Sequence, residues 1–197
     1  MIRFSSDYTE GAHPFILSAL AKTNYEQNPG YGEDPHCARA AALIRKACDA
    51  PDASVHFLVG GTQTNTIVIS SLLKPYEGVL CADSGHIHVH ETGSVEATGH
   101  KVLALPARLG KINADQVRTA YENHVHDASF EHIVRPGMVY ISHPTEYGTL
   151  YTLDELTALS KICHSLGLPL FLDGARLGYG LASPENDVTL NDIARLC

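Results

Sequence analysis

Three stretches of this 197-residue sequence combine residue types that can do chemistry: LVGGTQTN (58–65), DSGHIHVHETGS (83–94) and LFLDGARL (170–177). In the first, Gly60 and Gly61 lead into a helix opened by Thr62. Glycines let the backbone come close to an anion, and the free amides and positive dipole end of a helix start attract one. The stretch is neither GxGxxG nor GxxxxGKS/T, so a dinucleotide or nucleoside triphosphate has little support. A plain strand-to-helix turn is the competing reading.

In the second stretch His86, His88, His90 and Glu91 crowd together. All three histidines share a face on a strand, and His86 and His90 share one on a helix, so a metal site is geometrically open. No HExxH pattern accompanies them. A histidine just past a strand can instead lay its flat ring on a flat ligand. In the third stretch an apolar run stops at Asp173 and Arg176, held apart by Gly174 and Ala175. An aspartate there suits a basic ring nitrogen, which it would keep protonated, and the arginine fork suits a carboxylate. A surface ion pair at a turn is the plainer alternative.

Such residues need a scaffold that gathers strand ends. Candidate strands are SVHFLV (54–59), GVLCA (78–82), HKVLAL (100–105), GMVYIS (137–142) and LPLFL (168–172), each short and rich in strand formers. Helical spacing falls between them, over 62–74, around 88–98, over 113–125 and over 152–166. In the last, Leu153, Leu156, Leu159, Ile162, Cys163 and Leu166 share a face, Thr152 and Glu155 form a capping box, and Gly167 and Pro169 end the helix. Strands apolar on both faces and separated by helices predict an α/β fold, a mostly parallel sheet with helices on both faces. Ligands of such sheets collect at the carboxyl ends of the strands, where all three stretches lie. Residues 1–50 read differently, as an N-terminal arm with a helix near 14–23 and another in CARAAALIRKACD, and 51–197 as the sheet domain.

Composition narrows the classes of function. With 22 acidic and 14 basic residues the net charge is −8, which repels nucleic acid, and no basic patch offsets it. No signal-like or membrane-spanning run is present, so a cytoplasmic location is expected. The five cysteines, Cys37, Cys48, Cys81, Cys163 and Cys197, are odd in number and lack CxxC spacing, as expected of reduced thiols rather than a disulfide framework or structural zinc.

A phosphate cup, a ring stacker, a ring-nitrogen acid and a carboxylate arginine together describe a pyridoxal phosphate site. The sequence resembles the low-specificity L-threonine aldolases, in the β-eliminating lyase group of pyridoxal phosphate enzymes with the aspartate-aminotransferase-like fold. FSSDYTEG, GYGEDPH, GGTQTN, SGHIHVHETGS, HPTEYGTLYTLDEL and LDGARL carry the likeness, in the family's order and along essentially the whole chain. The resemblance implies that Gly61 and Thr62 hold the cofactor phosphate, His86 stacks on the pyridine and Asp173 pairs with its nitrogen. It implies that Arg176 and Ser6 take the substrate carboxylate and that Tyr31 lies at a subunit interface, hence a homodimer or homotetramer. The implied reaction is aldol cleavage of L-threonine, or a related β-hydroxy amino acid, to glycine and acetaldehyde.

The sequence departs from the family's pattern in two places. Where better-known members carry a histidine for the β-hydroxyl, this chain has Glu146, with His143 close by as an alternative. The family's cofactor-binding lysine lies about thirty residues beyond the aspartate, one βα unit further on, and all six lysines here precede Asp173. The chain is therefore expected to be the N-terminal part of a longer enzyme, without its C-terminal small domain and inactive alone. Two other readings stay open: another pyridoxal phosphate lyase, such as a β-eliminating one, and a non-catalytic fragment.

Overall fold

A computed structural model describes residues 5–197. The chain forms two compact units, one ending at Ala41 and the other spanning Ala42–Cys197. The first contains α1 (Pro14–Thr23), whose proline sits in the first turn and whose residues all remain unburied, and most of α2 (Pro35–Ala47). Asp34 opens α2 by accepting from the backbone N–H groups of His36 and Cys37, both at 2.9 Å.

The second unit is an open parallel sheet. Strand β1 (Glu77–Ala82) pairs with β2 (Lys101–Leu105) on one side and β3 (Arg135–Ser142) on the other, and β3 pairs with β4 (Leu170–Asp173), giving the order β2-β1-β3-β4. The helices of this unit are α3 (Gly61–Leu72), a single turn α4 (His86–Val89), α5 (Ala114–Val125), α6 (Leu153–Leu166), α7 (Leu177–Leu181) and α8 (Leu190–Leu196). Side chains alternate across the sheet with period two. Val79 and Cys81 of β1 join Met138 and Tyr140 of β3 against Ile69 of α3. Leu80, Ala82, Val139 and Ile141 face the opposite way, onto Val117 of α5 and Leu156, Leu159 and Ile162 of α6. Burial of each of those α6 side chains contributes about 1.5–3 kcal/mol, and the Thr152–Glu155 capping box and Gly167 in the left-handed conformation bound that helix as its sequence predicts. The strands approach so closely at Gly78 that a β-carbon there would stand 2.5 Å from the Lys101 carbonyl oxygen. Burial pushes the Cys81 and Cys163 thiols up to about 12, so both stay protonated.

Two expected elements are corrected. Residues 54–59 form no strand. A strand exists only through ladder hydrogen bonds, and this segment has no pairing partner among the described residues; Phe57, Leu58 and Val59 are exposed. The stretch around 88–98 is not one helix either. Thr92 (φ 52°) and Gly93 (φ 73°) turn left-handed and separate α4 from a 3-10 turn at Glu96–Thr98. The α/β class and the parallel sheet are as the sequence predicts.

Candidate functional site

The carboxyl ends of β3 and β4, the start of α3 and the turn α4 surround one cleft, lined by Gly61, Asn65, His86, Glu91, Ser142, Pro144, Glu146, Asp173, Ala175 and Arg176. Six residues singled out from the sequence therefore meet there: Gly61, His86, Glu91, Glu146, Asp173 and Arg176. Each arrives for a local reason. Gly60 is extended and gives α3 no side-chain cap, so the first helical amides are left to the cleft. A β-carbon built on Gly60 or Gly61 would meet nothing within 4 Å, so no neighbouring atom crowds either glycine on that side. Thr62 follows in the first turn of α3, exposed. Arg176 is the residue before α7.

Asp173 ends β4 with its carboxylate held by three donors. Oδ1 accepts from the Ala175 backbone N–H at 2.9 Å, and Oδ2 accepts from the Tyr140 hydroxyl at 2.6 Å and from Asn65 Nδ2 at 3.0 Å. Burial, reinforced by the charge on Asp173, raises the Tyr140 pKa, so the phenol stays protonated and remains a donor. Across the cleft, His86 Nδ1 lies 2.7 Å from Glu91 Oε1. Glu146 is anchored through Oε1, which accepts from the His86 backbone N–H at 2.9 Å and from Ser142 Oγ at 2.5 Å. Its Oε2 is buried and has no hydrogen-bond partner among the described residues.

The other predicted residues lie elsewhere. His143 is fully buried, its Nδ1 accepting from the Tyr151 backbone N–H at 3.3 Å, and it does not line the cleft. Strand alternation explains this: Ser142 faces the cleft, so its neighbour faces away. Ser6 and Tyr31 belong to the first unit. Ser6 is half-buried, its Oγ 3.5 Å from the Tyr8 backbone N–H, and Tyr31 is exposed with φ 63°. His88 and His90 are exposed, and no cluster of three His, Cys, Asp or Glu able to hold a metal occurs among the described residues. None of the six lysines lines the cleft.

Sequence reasoning overlooked Asn65, Tyr140 and Ser142, and took Glu91 only as a possible metal ligand. A signal for the strand pair existed: Tyr140 and Ser142 alternate on one face of an otherwise apolar strand, and polar atoms placed so need partners.

Known proteins resemble this chain in sequence and in fold. The β-eliminating lyase family profile matches residues 4–195. A low specificity L-threonine aldolase from Pseudomonas sp. is 35% identical over 182 residues, covering 91% of this chain and 51% of that protein. The protein of the same name from Pseudomonas aeruginosa is 32% identical over 186 residues, with the same coverage. Among solved structures, Leishmania major threonine aldolase is 51% identical, with a TM-score of 0.92 over 97% of this chain and 55% of its own. An Escherichia coli aminotransferase, 16% identical with a TM-score of 0.72, shares the fold. The chain spans about half the length of the curated relatives it matches.

Proposed function

Since the chain belongs to the β-eliminating lyase family, we propose that its cleft takes pyridoxal phosphate and that the protein of which it forms part cleaves L-threonine to glycine and acetaldehyde. The observation that carries the reading is Asp173, fixed by three donors in a cleft that also presents an uncapped helix start, an imidazole and an arginine. The residues fit the cofactor: α3 starts without a side-chain cap at the cleft, uncrowded at Gly60 and Gly61, as a phosphate needs, and an oriented carboxylate stands ready for a ring nitrogen. When bound, pyridoxal phosphate supplies an electron sink for the bond broken at Cα.

The chain's own residues then divide the work. Gly61, Thr62 and the start of α3 bind the phosphate. Asp173 would keep the ring nitrogen protonated, and His86 would stack on the ring. Arg176 takes the substrate carboxylate, which a guanidinium grips with two parallel hydrogen bonds. Glu146, which lines the cleft and is tethered through Oε1 by the His86 amide and Ser142, is the base for the β-hydroxyl proton. His143, buried on the other side of β3, has no part in this step.

Self-association belongs to the same reading. In α1 the side chains of Phe15, Ile16, Leu17 and Leu20 are exposed, an apolar surface that a homodimer or homotetramer would cover. Sedimentation velocity tests this part directly.

A second reading rests on the lysines. With none in the cleft, the 197 residues bind the cofactor without a covalent link and turn nothing over. One experiment separates the two. The protein is given pyridoxal phosphate and L-threonine, alone and as a chimera carrying the part of the Leishmania major enzyme that this chain does not cover. Acetaldehyde from the chimera alone supports the proposal together with a non-catalytic chain. Ammonia and keto acid in place of acetaldehyde would replace aldol cleavage with β-elimination. Borohydride reduction leaving a single lysine adduct on the chain itself would refute the non-covalent reading.

A further inference from the structure

Glu91 has no role in the proposed function and Asn65 enters it only as a donor to Asp173, yet they are the two most completely enclosed polar residues of the cleft, 3% and 2% exposed. Glu91 spends both oxygens inside the protein. Oε1 receives Asn65 Nδ2 and His86 Nδ1, each at 2.7 Å, and Oε2 receives Ser94 Oγ at 3.1 Å. A buried carboxylate can only accept, so the proton on the short contact to His86 resides on Nδ1. That fixes the imidazole as the Nδ1–H form and leaves Nε2 as the nitrogen that Glu91 does not engage. The left-handed turn at Thr92 and Gly93 follows at once and brings Ser94 back under the carboxylate.

Asn65 completes the connection. Its amide nitrogen carries two hydrogens, and both have acceptors: Glu91 Oε1 at 2.7 Å and Asp173 Oδ2 at 3.0 Å. The reversed amide would aim its carbonyl oxygen at two carboxylates, so this orientation is the one that satisfies the site. Asn65 also stands one helical turn after Gly61 on α3. The helix start, the imidazole and the aspartate are thereby joined through a single side chain.

We propose that Glu91 and Asn65 are positioning residues: Glu91 fixes the orientation and Nδ1–H form of His86, and Asn65 ties that pair to Asp173 and to the start of α3. The structural part stands on hydrogen bonds alone, and its consequence for the cofactor rests on the pyridoxal phosphate reading. Glu91→Gln keeps an oxygen for His86 and Asn65 and turns an amide toward Ser94, so it preserves the arrangement. Glu91→Leu and Asn65→Leu remove it.

The test uses the purified, 15N-labelled chain without cofactor, with His86 assigned by the signal lost in His86→Gln. Long-range proton–nitrogen correlation spectra should show Nδ1 protonated in the wild type and in Glu91→Gln, and lose that signature in Glu91→Leu. Should the leucine variant not fold, Glu91→Asp, which keeps the charge but shortens its reach, takes its place. Titration with pyridoxal phosphate should then show Glu91→Leu and Asn65→Leu binding about ten- to a hundredfold more weakly than wild type, the loss of one hydrogen bond to a charged group, with Glu91→Gln close to wild type. An Nε2–H form in the wild type, or an Nδ1–H signature that survives Glu91→Leu, overturns the inference. Unchanged cofactor affinity in both leucine variants overturns it as well. If the wild type binds no pyridoxal phosphate, the cofactor reading fails by itself and the nitrogen spectra still decide the role of Glu91.

Discussion

Replacing Tyr140 with phenylalanine isolates one hydroxyl. The tyrosine ring is fully buried, packed edge-on to Phe171 with centroids 5.7 Å apart, and the phenylalanine ring would keep those contacts. What goes is the 2.6 Å hydrogen bond to Asp173 Oδ2, together with a long 3.4 Å one that the hydroxyl accepts from Ser142 Oγ. A hydrogen bond to a charged group is worth about 1.5–3 kcal/mol. Asn65 and the Ala175 amide still hold the carboxylate, which places the expected loss near the middle of that range, at about 2 kcal/mol. With a urea dependence of about 2–3 kcal/mol/M for a chain of this size, the unfolding midpoint falls by about 0.7–1 M. The assay is urea denaturation followed by circular dichroism, repeated in an Asp173→Asn background. There the acceptor is neutral, and the same Tyr140→Phe change should cost less than half as much. A midpoint shift below about 0.2 M, or an equal shift in both backgrounds, would show that the hydroxyl does not support Asp173 and that the donor set is wrongly described.

Two further predictions concern the scaffold. Gly78→Ala puts a β-carbon 2.5 Å from the Lys101 carbonyl oxygen and 2.9 Å from Val134 Cγ1; it should cost at least about 1–3 kcal/mol, or roughly 2–4 °C of Tm for each kcal/mol, whereas Gly60→Ala, with open space around it, should change Tm little. Scanning calorimetry of the two variants checks this, and equal Tm values would contradict the packing at β1. His143 supplies the pH dependence: burial lowers its pKa, the charge on Asp187 opposing in part. The unfolded chain therefore takes up the proton first, and the stability His143 gives by staying neutral is complete above about pH 6.5 and is lost as pH falls through the folded-state value. His143→Asn, which keeps an acceptor for the Tyr151 amide, should flatten the fall in urea midpoint between about pH 7.5 and 5; parallel curves would refute it.

What the sequence revealed and what it hid follow from the range of the interactions involved. Strand ends are local events, and Gly60–Gly61, His86 and Asp173 stand out because an apolar run stops there. Helix α6 was legible because its cap, stripe and stop all lie between Thr152 and Gly167. The hidden parts are long-range. Asn65 meets Asp173 across 108 residues and looks from its neighbours like any polar helix position. Residues 54–59 have every local property of a strand, but pairing belongs to two segments and one segment cannot reveal it. Helices α7 and α8 escaped because five and seven residues are too few for a periodicity, although Thr189 and Asp192 form a capping box that announces α8.

The order β2-β1-β3-β4 also sets a timetable for synthesis. Among the described strands β1 alone is enclosed on every residue, and its second neighbour, β3, begins about fifty residues later in the chain. At about 5–20 residues per second of translation, one edge of β1 waits roughly 3–10 s for its partner. During that interval the segment VLCA presents an apolar strand edge to whatever is nearby, which on a crowded polysome is another nascent copy of itself. Slower translation lengthens the exposure, and cooler expression weakens the hydrophobic attraction that makes it hazardous. The length of that interval is set by the stretch of chain between Ala82 and Arg135.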